Sequence, residues 1–136
     1  MLIVDTGPLV AAADKDDPDH HRCVELLESA PGPLVTTGLV IAEAGFLIAR
    51  QVGPAGEAAL VADVAEGRLV VEALTTPDWT RIGELVERYA DLGLGVTDAS
   101  VIALAEHHGV PEIATLDRRH FYVVRPAHRD AFELLP

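Results

Sequence analysis

With 136 residues, 49% of them hydrophobic, and a mean hydropathy of +0.25, the chain has a core to bury and lies outside disordered composition. A formal net charge of −12 excludes a generic phosphate-coating protein, because nonspecific nucleic-acid affinity rests on Lys and Arg neutralising phosphates. It does not exclude a nucleic-acid enzyme whose acids hold metal, since a bound cation reverses the field that a substrate meets.

The length suits one domain, residues 1–136. The longest uncharged run, Ser29 to Ala42, contains Pro31, Gly32 and Pro33 and falls short of the ~20 apolar residues a membrane span needs. Met1 leads into a short apolar run stopped by Asp5, without the basic segment and long apolar stretch of a secretory signal. The lone Cys23 has no disulfide partner within the chain. These features read as a cytoplasmic protein with no membrane contact.

In chain order, Leu2-Ile3-Val4 is a continuous apolar run of the kind found in strands buried on both faces of a parallel sheet. Asp5 follows it, then a turn Thr6-Gly7-Pro8 with Pro8 opening a helix through Leu9 to Ala13. The acidic run Asp14 to Asp19 places Asp14, Asp16 and Glu25 at calcium-loop spacing. The sharp-turn position that requires Gly holds Asp19, so a solvated loop is the better reading. Asp17 or Asp19 caps the next helix, whose buried stripe is Cys23, Val24, Leu26 and Leu27.

Leu34-Val35-Thr36 forms a second strand, and a helix runs from Thr37 or Gly38 to about Gln51. Glu43 is the only charge in its apolar middle, flanked at helical spacing by Leu39, Val40, Phe46 and Leu47. A buried glutamate there demands a cation, a partner or a proton. A helix over Ala55 to Glu66, a strand over Leu69 to Ala73, and a helix capped by Thr76 and reaching Tyr89 follow. The apolar face of this last helix is Trp79, Ile82, Leu85 and Val86.

Thr97 caps the next helix, with Asp98 in its first turn and Gly109 closing it. An acid in a first turn is favoured by the helix dipole alone, but Val101, Ile102 and Ala105 continue Asp98's side towards the core. Glu112 to Leu116 reads as a strand that Asp117 ends, as Asp5 ends the first. Tyr122 to Val124 reads as a last strand before a short C-terminal helix. Alternating strands and helices define a three-layer α/β/α domain with a mainly parallel sheet.

Asp5, Glu43, Asp98 and Asp117 converge if the strands before Asp5 and Asp117 are neighbours. Two ionised carboxylates ~4 Å apart repel by about 4 kcal/mol at an effective dielectric near 20, so a cluster needs a cation. Oxygen ligands suit Mg²⁺ or Mn²⁺, and such a site can activate water against a phosphodiester.

The segments DTGPLVAA, the mid-helix Glu43, LGVTDASVIALAE and IATLDRRHF, in this order and spacing, resemble the PIN domain, most closely the VapC toxins of bacterial VapBC toxin-antitoxin modules. The resemblance spans essentially the whole chain. It implies about five parallel strands with helices on both sides, and Mg²⁺- or Mn²⁺-dependent endoribonuclease activity. It also implies a homodimer held inactive by a cognate VapB-like antitoxin. Asp5, Glu43, Asp98 and Asp117 match the family's acidic quartet, and Thr6 and Thr115 match hydroxyl positions that support it. Many relatives carry a further Asp shortly before the helical one, where this chain has Gly95. Arg118 and Arg119 stand beside Asp117 as candidate grips on the RNA backbone.

A haloacid-dehalogenase-like phosphatase needs a second Asp two residues after the first, where Gly7 stands, and a later Lys, whereas Lys15 is the only lysine. The lack of a later Lys also disfavours a receiver domain. The remaining alternative is a PIN-like module that binds RNA or a protein partner without cutting.

Overall fold

The computed structural model describes residues 1–136. Five strands, β1 (Leu2–Val4), β2 (Leu34–Thr37), β3 (Leu69–Glu72), β4 (Glu112–Ala114) and β5 (Glu133–Leu135), form one wholly parallel sheet in the order β3-β2-β1-β4-β5. All of β1 is buried, which is why its sequence is apolar without alternation. The chain winds outward from β1 to β3, then returns to the other side of β1 as β4. The direction of winding therefore changes between β1 and β4, the neighbours required for Asp5 and Asp117 to meet. In open parallel sheets, ligands bind beyond the carboxyl ends of the strands at such a point.

Seven helices cover the two faces in a three-layer α/β/α arrangement. On one side α1 (Thr6–Ala13) packs between α2 (His20–Ser29) and α3 (Gly38–Gln51), and α3 packs on α4 (Pro54–Ala65). On the other, α5 (Thr76–Arg88) packs along α6 (Val96–His108), and α7 (Arg118–Val123) connects β4 to β5. Residues Ala99 to Ala105 of α6 are all buried. A helix covered all round has to be apolar all round, and the run of Ala, Val, Ile and Leu supplies that. Ile3, Val4, Val35, Ile102, Leu104, Ile113 and Phe121 are among the most deeply buried members of the core.

Several boundaries differ from the sequence reading. Thr6-Gly7-Pro8 is already helical, with Asp5 as the N-cap of α1. Thr75, not Thr76, caps α5: its hydroxyl accepts from Asp78 N, and the Asp78 carboxylate accepts from Thr75 N. Gly95, not Thr97, precedes α6. Trp79 is 48% exposed, so the inner face of α5 is Ile82 and Leu85 without it. The last two elements are reversed in type: Tyr122 and Val123 lie in α7, and the tail forms β5. Asp117 initiates α7 by accepting from His120 N, whereas Glu133-Leu134-Leu135 gains its hydrogen bonds by pairing along β4. Tertiary pairing there overrides the weak local preference of Glu and Leu for helix. No helix is long and apolar enough to cross a membrane.

Candidate active site

Three chain reversals bring acids to the carboxyl end of the sheet. Asp5 leaves β1 with its amide bonded to the Ala114 carbonyl (2.9 Å), which ties it to the end of β4. Asp98 stands in the first turn of α6, and Asp117 is the N-cap of α7. Glu43 reaches in from the second turn of α3. Together with Thr6, Gly7 and Leu116, these four acids line an open cavity of about 410 Å³. A Cβ on Gly7 would lie 3.1 Å from Leu116 Cβ, so glycine lets the loops after β1 and β4 close on each other.

Asp5 caps α1 by position only, because its side chain makes no capping bond. Instead Asp5 Oδ2 accepts from the Thr115 hydroxyl at 2.7 Å, while Oδ1 is buried with no hydrogen-bond partner. The same Thr115 hydroxyl accepts from Asp117 N at 3.0 Å, so one side chain fixes two of the acid-bearing loops. The Thr6 hydroxyl donates to Glu43 Oε2 at 2.6 Å. Contrary to the sequence reading, Glu43 is exposed, as is its helical neighbour Phe46 (58%). Val40, Ala44 and Ile48 form the buried face of α3, and Glu43 stands at the edge of that face, towards the cavity and solvent. Asp98 is not spent on capping either, since the residue before α6 is Gly95 with no side-chain cap.

The residue that sequence reasoning missed is His120. Its Nδ1 lies 2.8 Å from Asp98 Oδ2 and 2.9 Å from Asp117 Oδ2, with ligand atoms of all three residues within 4.8 Å of one another. The signal available was the spacing Asp117-x-x-His120, which places the ring one turn above the acid on a helix. The adjoining Arg118 and Arg119 drew the reading of this segment to RNA-backbone contacts instead.

Burial pushes the Asp5 carboxyl up to about 6; the Thr115 hydrogen bond and the adjacent Thr6 backbone amide oppose the rise, while Asp98 and Glu43 add to it. Burial also raises Asp98, with His120 opposing and Asp117 and Glu43 reinforcing. Both carboxyls thus sit where their negative charge is poorly compensated by protein alone. A divalent cation fits this environment: the donors are mainly hard oxygens, and a buried carboxylate oxygen of Asp5 lacks any partner. The positive ends of α1 and α6 offset part of the same charge.

Arg118 donates to the Tyr122 hydroxyl (2.7 Å) and to the Pro136 carbonyl (2.5 Å), so two of its donors are engaged on the chain itself. Arg119 is exposed. His107 and His108 pair with Asp78 (3.0 Å) and Glu72 (2.8 Å), tying the end of α6 to α5 and β3.

A parallel sheet with acids gathered where its winding reverses is an α/β/α domain with an acidic cavity at its switch point, and residues 2–125 match the family model for the PIN domain. The chain belongs to the PIN domain family. It is 33% identical to Ribonuclease VapC26 of Mycobacterium tuberculosis over 135 residues, covering 99% of this chain and 100% of that protein. Among solved structures it is similar to M. tuberculosis VapC20, a sarcin-ricin loop cleaving toxin, with a TM-score of 0.81, 22% identity, and 88% and 92% of the two chains covered. A chain of the VapBC2 complex from Rickettsia felis, bound to a promoter DNA fragment, matches with a TM-score of 0.66, 17% identity, and coverage of 99% and 98%. FitAcB from Neisseria gonorrhoeae matches with a TM-score of 0.64 and 17% identity, covering 90% and 91%.

Proposed function

We propose that residues 1–136 act as a metal-dependent endoribonuclease toxin that hydrolyses RNA phosphodiester bonds, with Asp5, Glu43, Asp98 and Asp117 as the catalytic acids. The observation that carries this reading is the convergence of Asp5, Glu43, Asp98 and Asp117 on one open cavity, with one carboxylate oxygen of Asp5 buried and without a partner. Bound Mg²⁺ or Mn²⁺ would supply an acidified water and neutralise charge on the phosphodiester oxygens. Asp5, Asp98 and Glu43 would hold the ion, and Asp117 would complete or tune the set. Thr115 holds Asp5 with one oxygen committed and the other free, and Thr6 orients Glu43 in the same manner. The exposed position of Glu43 suits a group that meets water and substrate at the cavity mouth. Arg119, and Arg118 through its remaining N–H donors, are the candidate contacts to flanking phosphates.

The kinship with VapC chains supports a VapB-like antitoxin as the inhibitor and a homodimer as the working form, in the cytoplasm. An antitoxin arginine would enter the acidic cavity for the same electrostatic reason that a metal does.

The sarcin-ricin loop named for VapC20 offers a first structured RNA to assay. Purified protein free of partner is expected to cut RNA with Mg²⁺ or Mn²⁺, to stop in chelator, and to lose at least 100-fold of its rate in Asp98→Asn, in line with the size of a lost electrostatic contribution. Equal cleavage by wild type and variant would contradict the catalytic reading. Metal binding without cleavage of any RNA in total cellular RNA would favour the non-catalytic PIN-like binding module.

A further inference from the structure

We infer that His120 is a nitrogen ligand of the cation in this site, binding through Nδ1 beside Asp98 and Asp117; the inference rests on the proposal that the acids hold a divalent ion. The ring is fixed from its far side, where Nε2 lies 3.2 Å from the Leu92 carbonyl. A carbonyl only accepts, so Nε2 carries the hydrogen. A histidine whose second nitrogen donates to a backbone carbonyl is held in the orientation and tautomer that metal-binding imidazoles use.

Nδ1 is then aimed at the acids. It is buried and lies 2.8 and 2.9 Å from Asp98 and Asp117 oxygens. A protonated ring makes such contacts with carboxylates directly, and a neutral ring whose Nδ1 carries a lone pair makes them only through a cation that takes the proton's place. Those separations are what a shared ion produces: donors about 2.1 Å from an octahedral cation and at right angles around it stand about 3 Å apart. The His120 side chain is only 16% exposed, so bulk water does not readily take the ligand's place.

The chemical consequence is ion choice. An all-oxygen site suits Mg²⁺, whereas an imidazole nitrogen shifts preference towards first-row transition ions such as Mn²⁺. His120 therefore makes this site more selective for Mn²⁺ than its four acids alone would be.

The test uses tag-free, full-length protein loaded with Mn²⁺ alone and read by electron spin-echo modulation. Wild-type protein is expected to show nitrogen coupling to the bound Mn²⁺, to change isotope pattern when grown with ¹⁵N-histidine, and to lose the coupling as His120→Gln. In calorimetric titrations the ratio of Mn²⁺ to Mg²⁺ affinity should fall about tenfold in the same variant, the lower end of what disturbing a metal ligand's environment costs. Should the variant misfold, the isotope comparison on wild-type protein still decides. Mn²⁺ bound with no nitrogen coupling would overturn the inference while leaving the acidic metal site standing. No binding of Mn²⁺ at all would overturn both.

Discussion

Thr115 shows how much of the site depends on single hydroxyls: it donates to Asp5 and accepts from the Asp117 amide, and it is itself fully buried. Asp5, held in this way, is an electrostatic liability without metal. Its carboxyl sits at about 6 in the fold against an ordinary 3.8, so the folded state keeps a proton that the unfolded chain has already lost. The corresponding contribution to stability is present below pH 3.8 and is lost as pH rises through about 6. In chelator, Asp5→Asn should therefore melt above wild type at pH 7.5, with the gap narrowing as pH falls towards 4.5. Saturating Mn²⁺ should reverse the order at pH 7.5, because only wild type gains the bound ion. Thermal unfolding across pH checks this, and a variant less stable than wild type in chelator at every pH would contradict it. At this scale the four acids were legible because each interrupts an apolar segment. The exposure of Glu43 was not, since which side of α3 is covered depends on neighbours distant in sequence. His120 was hidden for a related reason: its role exists only once α7 is stacked against the start of α6.

Among the elements, α5 and α6 form the packed pair that supports Asp98 from behind. Arg81 spans them with two bonds to Glu106, at 2.8 and 3.0 Å, and Glu106 Oε1 also accepts from Ala127 N at 2.8 Å. Glu106 is 10% exposed and Arg81 24%, so this pair is shielded more than a surface bridge. Arg81→Ala is expected to destabilise the protein by about 2 kcal/mol, the scale of a lost charge-assisted hydrogen bond that leaves a carboxylate half-satisfied. Denaturant unfolding measures it, and metal affinity per folded molecule should be unchanged. A loss under about 0.5 kcal/mol would place the pair with ordinary surface bridges. The strands β1 and β2 and the helices between them were readable because short apolar runs alternate with Gly, Pro and cap residues. The C-terminal elements were not: Tyr122 and Val123 have strand composition but are wound into α7 by the Asp117 cap, with only Val124 extended, and Glu133-Leu134-Leu135 becomes a strand only because β4 offers it an edge.

For the molecule as a whole, the strand order explains why residues as far apart as Asp5 and Asp117 share one cavity. The placement of β1 beside β4 was a condition that the sequence posed without resolving, because strand adjacency is set by the global winding of the chain. The net charge of −12 was readable as an argument against phosphate coating but silent on where the charge gathers; the fold gathers four acids at one end of the sheet. That concentration is the centre of the account, and anomalous diffraction from crystals soaked in Mn²⁺ tests it most directly. The account predicts a manganese peak in the cavity within about 2–2.3 Å of carboxylate oxygens of Asp5 and Asp98. A saturating soak that leaves this cavity without a peak, in crystals whose Asp5 and Asp98 side chains are well ordered, would contradict it.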